Sequence, residues 1–464
     1  MWDRLKSFLN PFDARFEDMN KSHWIRVVFR DTSAGLIVAM MAIPLAMGFA
    51  MASGLRPEHG ILAGAIAGMV GAIFGGSKYN VYGPVAALIP VIAVIMATYR
   101  TPDDPYAGHG FLILICACSG PILMILALLG WGKVVNVVPH SIVVGFSVGI
   151  AVTIAMTQFG EILGLKVAVT GGFRTKIRII SENIGQANGA AMFLGLFTFM
   201  LIRALLNISI YFPAPLLAVA AATFLGATIF ADDDLTLVKT KYGEIPTDFL
   251  QFTPPTMPAW NASVLGDLIY YALAFAFVCG FESLLAARMA DRLADNRGTP
   301  YNPNREIWGQ GLIQFLVPML NGMPLSGALA RTATNIKVGA MTPLASAMKC
   351  ILKLLLAYFL AKQLEIVPMA CIGGILLWVA FNMVKPTEIK QVVAHNWFHT
   401  CLMIYTAVMV IVADFLTGVL TALLIYGLLF YFFDKPRHAN GGNNGKTENG
   451  VKGGTESQST PESK

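Results

Sequence analysis

Two short runs in a very apolar chain combine glycine, proline and small side chains in a way that leaves backbone donors free. The first is Val81-Tyr82-Gly83-Pro84-Val85-Ala86-Ala87-Leu88 and the second is Met323-Pro324-Leu325-Ser326-Gly327-Ala328-Leu329-Ala330-Arg331. Each reads as a short extended stretch leading into a helix, with Pro84 in a first turn, where its missing N–H costs nothing. The N–H groups of a helix's first turn have no acceptor within the helix and form the positive end of its dipole. Two such starts brought together make a binding site for an anion. Taken singly, either run could equally be a Pro/Gly kink packed in a helix bundle. Their matched positions, third among the apolar segments of each half of the chain, favour a site.

Charges inside apolar runs are few, and each is costly unless paired or wet. Glu282, in Gly280-Phe281-Glu282-Ser283-Leu284-Leu285, lies about 15 residues, or roughly 22 Å, into its segment. Arg331 lies about one turn into the second half-helix. The two either neutralise each other, or they form a titratable carboxylate beside a fixed positive charge that attracts anions. Glu161, Asp267 and Asp414 lie nearer the ends of their segments and read as interfacial. Lys349 and Lys353 share a helix face at i, i+4 and can snorkel.

The elements that must position these residues follow from composition. Of 464 residues, 56% are hydrophobic and 13% charged, where roughly 25% charged is usual for a soluble domain. This is the composition of a membrane protein. The net charge of +6 is not gathered into a basic soluble domain, so no nucleic-acid partner is expected. Cys116, Cys118, Cys279, Cys350, Cys371 and Cys401 all lie in apolar runs and read as small packed residues, not disulfide or metal ligands. His395 and His399 lack a third ligand nearby, so neither a metal nor a cofactor is expected, and nothing points to an enzyme. The N-terminus has five acidic residues in its first 31 and no early apolar core, so the first span itself must target the chain.

A span needs about 20 apolar residues. Apolar runs place spans near 32 to 52, 60 to 76, 84 to 98, 110 to 130, 138 to 162, 190 to 207 and 211 to 230, and, after a polar stretch over 231 to 264, near 265 to 288, 306 to 320, 327 to 338, 342 to 361, 366 to 383, 397 to 417 and 419 to 433. The expected fold is an all-α polytopic membrane protein with 14 transmembrane segments. Seven per half, an odd number, puts the halves in opposite orientation as an inverted repeat. Half-helices 3 and 10 are each preceded by the short extended stretches above. Residues 1–31 form a cytoplasmic N-terminal segment, and 435–464, rich in Gly, Asn, Ser, Glu and Lys, read as a disordered cytoplasmic tail. With both termini cytoplasmic, seventeen Lys and Arg fall on inner connections and nine on outer ones, as the positive-inside rule asks. Arg174, Lys176 and Arg178 are discordant and read as an interfacial helix on the outer side. The location is a plasma or inner membrane.

Asp31-Thr32-Ser33-Ala34-Gly35-Leu36, Ile43-Pro44-Leu45-Ala46-Met47-Gly48-Phe49-Ala50, Phe74-Gly75-Gly76-Ser77 and Gly83-Pro84-Val85-Ala86-Ala87-Leu88 resemble the opening of the sulfate permease (SulP, solute carrier 26) anion transporter family. The resemblance continues through Pro139-His140-Ser141-Ile142, Glu282-Ser283-Leu284-Leu285, Asn302-Pro303-Asn304-Arg305-Glu306 and Gly327-Ala328-Leu329-Ala330-Arg331-Thr332-Ala333-Thr334-Asn335, and covers about 30 to 434 in order. It implies a core domain (32–132 and 265–362) moving against a gate domain (133–264 and 363–434). By position it implies an anion held by Leu45, Phe49, Val85, Ala86, Leu329, Ala330 and Arg331, with Glu282 on the eighth segment as the proton-coupling group.

Three departures from the family pattern stand out. Many members have Gln where this chain has Leu45, which removes one side-chain donor. Cyanobacterial bicarbonate transporters of the family have Asp at the position of Glu282 and a hydroxyl residue four positions later; Ala286 stands there here, which counts against a sodium site. The family's cytoplasmic STAS domain is expected to be missing, since about 30 residues follow Phe433. The function expected is secondary active transport of a small inorganic or carboxylate anion (sulfate, bicarbonate or dicarboxylate) by proton symport and alternating access. The partners are the anion, the proton and the lipid bilayer, and a homodimer stays open. Sodium-coupled bicarbonate transport, anion exchange and a passive anion channel remain the alternatives at this stage.

Overall fold

The computed structural model describes residues 2–433 apart from 12, 21, 22, 137, 247, 249 and 414. The predicted tail over 435–464 and the predicted interfacial Asp414 lie outside the described residues. Eighteen α-helices follow in order: α1 (Trp2–Leu9), α2 (Trp24–Ala52), α3 (Pro57–Phe74), α4 (Ile89–Thr98), α5 (Gly108–Leu129), α6 (His140–Ile162), α7 (Phe173–Asn183), α8 (Gly189–Ile208), α9 (Ala214–Thr228), α10 (Val238–Tyr242), α11 (Ala262–Leu293), α12 (Pro303–Met319), α13 (Leu329–Lys337), α14 (Leu344–Glu365), α15 (Met369–Met383), α16 (Pro386–His395), α17 (Trp397–Val412) and α18 (Phe415–Phe433). Two short strands, β1 (Tyr82–Gly83) and β2 (Ser326–Gly327), form the one sheet among the described residues. Every apolar segment read from the sequence coincides with a helix. Eight helices among the described residues are long and apolar enough to cross a membrane.

Local chemistry sets the helix ends. Asn188, Asn261 and Asn302 accept first-turn N–H groups of α8, α11 and α12 at 2.8 to 3.1 Å, which satisfies donors that a helix start leaves orphaned. Pro57 and Pro303 occupy first-turn positions. Gly130 stops α5 in the left-handed region at φ 87°, a conformation that costs other residues. α2 begins at Trp24, eight residues before the predicted span, and α11 runs for 32 residues. Both exceed the roughly 20 residues that a bilayer core requires.

The packing within residues up to 423 repeats between the halves. α2 packs on α14 and α11 on α5; α3 packs on α14 and α12 on α5; α2 meets α3 as α11 meets α12. Each contact maps onto its counterpart when a segment is exchanged for the one seven further along, as an internal repeat requires. A second group shows the same exchange, with α6 on α17 matched by α15 on α8. Small residues let the backbones approach. A Cβ on Gly120 of α5 would lie 2.7 Å from the Gly311 carbonyl of α12, and one on Gly60 of α3 would collide with the backbone of Ala46 in α2.

The candidate anion site

The two half-helix starts meet at the sheet. β1 and β2 pair antiparallel, with Tyr82 opposite Gly327 and Gly83 opposite Ser326. Ala328 N–H donates to the Val81 carbonyl at 2.8 Å, and Val81 N–H donates to Thr332 Oγ1 at 2.9 Å. Beyond β1 the chain turns through extended Val85 into a 3-10 turn, Ala86–Leu88, that runs into α4, so Pro84 lies before the helix start and not in its first turn as expected, the pairing of β1 holding it and Val85 extended; beyond β2, extended Ala328 caps α13. Side-chain bonds from Thr332 to Asn80 Oδ1 (3.0 Å) and from Asn335 to the Tyr79 carbonyl (3.2 Å) fasten α13 to the stretch before β1. Strands this short have almost no sheet energy of their own, so these side chains fix the register.

The structure distributes the residues singled out from sequence as follows. Val85, Ala86 and Arg331 are buried at the two starts, Leu329 is half-buried and Ala330 is exposed. Leu45 and Phe49 are buried one turn apart on α2, which packs against both α4 and α13. Arg331 donates to the Pro84 carbonyl, and its guanidinium lies against Gly83, where a Cβ would sit 2.5 Å from Nη1. Glu282 Oε2 accepts from Ser326 Oγ at 2.7 Å. The two charges form no ion pair; Glu282 is held by Ser326 of β2 and Arg331 by Pro84 just beyond β1. Glu282 also lines a narrow cleft with Val138, Ile142, Phe146, Phe277 and Val419 of about 10 Å³, room for about one water molecule.

Two groups of residues at the site were not found from sequence. The first is Glu306, fully buried, which accepts five hydrogen bonds. Gly76 and Ser77 N–H donate to Oε2 at 2.8 and 3.0 Å; Asn80 Nδ2, Tyr82 OH and Ser283 Oγ donate to Oε1 at 2.6, 2.7 and 2.6 Å. It therefore ties α12 to the approach to β1 and to α11, one residue after Glu282. The second is Lys349 and Lys353. They do not snorkel. They are 2% and 0% exposed, and their ammonium groups donate to the carbonyls of Tyr82 (2.8 Å) and Gly60 (3.3 Å). α14 packs on α2 and α3 with Lys349 and Lys353 buried while Ile351, Leu355 and Tyr358 stay exposed, and the available signal was position: Lys353 falls near the middle of a 22-residue helix, far from either end where a snorkelling tip could reach water.

A largely helical, multi-pass integral membrane protein of two related halves, with a two-stranded junction where two half-helices begin, is of the inverted-repeat transporter class. The structure superimposes on the transmembrane domain of a cyanobacterium bicarbonate transporter, BicA, with a TM-score of 0.73 at 23% identity over 86% of this chain and 97% of that one. A murine Solute Carrier 26 family member A9 anion transporter in the inward-facing state gives a TM-score of 0.76 at 19% identity over 87% of this chain and 68% of that one. The chain belongs to the sulfate permease family, whose model matches residues 28–406. A putative sulfate transporter of Bacillus subtilis (strain 168), YvdB, is 32% identical over 420 residues, covering 90% of this chain and 76% of the relative. The bicarbonate transporter BicA of a Picosynechococcus strain is 24% identical over 80% of this chain and 64% of its own length.

Proposed function

We propose that the chain is a secondary active transporter of a small inorganic or carboxylate anion, coupled to protons and working by alternating access. The observation that carries this reading is the junction itself: two helix starts tied by β1 and β2, with the Arg331 guanidinium against Gly83 on one side and the Glu282 carboxylate on Ser326 on the other. First-turn N–H groups supply donors without a counter-charge, Arg331 supplies fixed positive charge, and Phe49 with Leu45 supplies an apolar wall. Relatives described as sulfate and bicarbonate transporters support the substrate class.

In this reading Glu282 carries the coupling proton. A bound anion offsets the field of Arg331, so the carboxylate takes up a proton more readily when the site is filled. Linkage makes the effect reciprocal, and protonation tightens anion binding by the same factor. The core (32–132 and 265–362) would carry the site past the gate (133–264 and 363–434), and the closer packing of α6 with α15 and α17 and of α2 with α3 and α14, joined by the lighter contact of α2 with α15 and α9, supports that division. A plasma or inner membrane with both termini in the cytoplasm fits the distribution of basic residues. The test is uptake of labelled sulfate, bicarbonate, chloride and a dicarboxylate into proteoliposomes, each with and without an inward proton gradient. Saturable uptake stimulated by the gradient is expected; flux linear in driving force would mean a channel.

A further inference from the structure

We propose that Lys349 and Lys353 form a second, buried cationic layer behind β1, and that this layer selects the valence of the bound anion. The inference rests on the anion-transport reading above and assigns specificity to residues outside the half-helix starts.

Both lysines are enclosed, and among the described residues neither forms an ion pair; Lys349 donates to the Tyr82 carbonyl and Lys353 to the Gly60 carbonyl. The buried carboxylates of the same region are engaged elsewhere: Glu306 by its five donors, Asp31 by Met341 and Thr342 N–H, Glu58 by Arg56. Glycines on α3 make room for the ammonium groups. A Cβ on Gly64 would lie 2.6 Å from Lys353 Nζ, and one on Gly68 would lie 3.2 Å from Lys349 Nζ. The same point at Gly64 is 3.5 Å from Pro84 Cδ and 3.7 Å from Gly83 Cα. Gly83 therefore lies against Arg331 and, by way of Gly64, close to Lys353, at the turn from which the first half-helix starts.

With Arg331, the two lysines when protonated outnumber Glu282 and Glu306, the carboxylates bonded to the junction, and leave it with excess positive charge. Removing an ammonium from water without pairing it is strongly unfavourable, and the cost is offset when an anion occupies the adjacent site. Coulomb energy is linear in ligand charge, so a dianion gains twice what a monoanion gains. The lysines act at this distance through their field, and Lys349 also positions the Tyr82 carbonyl.

The experiment compares wild type with Lys349→Met and Lys353→Met, which keep the stem and remove the charge. Binding of sulfate and of chloride is measured on purified protein by ligand-induced thermal stabilisation. If a substitution weakens chloride about tenfold, it should weaken sulfate about a hundredfold, since the free-energy loss doubles. The midpoint of the ligand-free protein should stay the same or rise, because an unpaired buried charge has gone. Equal losses for the two anions, or a lowered ligand-free midpoint with an unchanged affinity ratio, would overturn the proposal and make the lysines structural. Failure of both the Met variants and Lys349→Gln and Lys353→Gln to fold would do the same. Wild type that binds neither anion, nor bicarbonate or a dicarboxylate, would instead overturn the transport reading on which the proposal rests.

Discussion

Glu306→Gln keeps the size and shape of a side chain that collects five donors at 2.6 to 3.0 Å and removes its charge. Hydrogen bonds to a charged acceptor contribute about 1.5–3 kcal/mol each, against about 0.5–1.5 for neutral pairs. The amide oxygen can still take Gly76 and Ser77 N–H, and the hydroxyls of Tyr82 and Ser283 can turn to accept from the new NH₂. Asn80 Nδ2, 2.6 Å away, then meets another donor, so one contact is lost and charge assistance goes from the other four, together roughly 5 kcal/mol at most. At about 1–2 °C per kcal/mol for a chain of this size, the unfolding midpoint should fall by up to about 5–10 °C. Glu306→Ala should fall further, because it leaves Gly76 and Ser77 N–H buried without an acceptor. Anion affinity measured well below either midpoint should also drop, since Tyr82 opposes Gly327 in the strand pair. Thermal unfolding of purified protein in detergent reads the first effect. A midpoint within about 2 °C of wild type would refute the assignment of Glu306 as the fastening of the junction.

Leu45→Gln adds a side-chain donor to the apolar wall and should strengthen binding of tetrahedral sulfate relative to planar bicarbonate; an unchanged affinity ratio in a binding assay would count against Leu45 facing the anion. Gly83→Ala places a methyl 2.5 Å from Arg331 Nη1, so it should displace the guanidinium and weaken binding of every anion at least tenfold, with an equilibrium binding assay as the check. Lys176 on α7 donates to Thr157 Oγ1 at 2.7 Å, and burial lowers its pKa to about 8. Between that value and the ordinary lysine range near 10.5, the undocked state binds the extra proton, so docking of α7 should strengthen as pH rises through this window. Hydrogen exchange over 173–183, corrected for its intrinsic pH dependence, should show rising protection, and Lys176→Met should abolish the trend.

The helices and the half-helix starts were legible because each depends on local chemistry. An apolar run long enough to span, a Pro in a first turn, or a Gly-Pro pair ahead of small residues reads the same in one chain as in its fold. Glu306 was not legible as a hub. It stands in the first turn of α12, where a carboxylate ordinarily complements the helix dipole in water, and only the packing of α12 on α3 and α11 turns it inward. Lys349 and Lys353 misled for a related reason. The rule for lysine near a membrane assumes a path to water, and whether α14 has one depends on which neighbours enclose it. Asp31, fully buried while accepting from Met341 and Thr342 N–H, pairs residues some 310 positions apart, which no local pattern records.

Coupling at Glu282 is tested most directly in proteoliposomes holding wild type or Glu282→Gln, with only a pH difference imposed and internal labelled anion followed to steady state, alongside equilibrium binding at several pH values. Wild type should concentrate the anion above its external level. The Gln variant should bind the anion well at every pH and equilibrate it without concentrating it, because its side chain cannot exchange the proton that linkage requires. A Gln variant that still accumulates substrate against its gradient would show that Glu282 does not carry the proton and that its bond to Ser326 is structural.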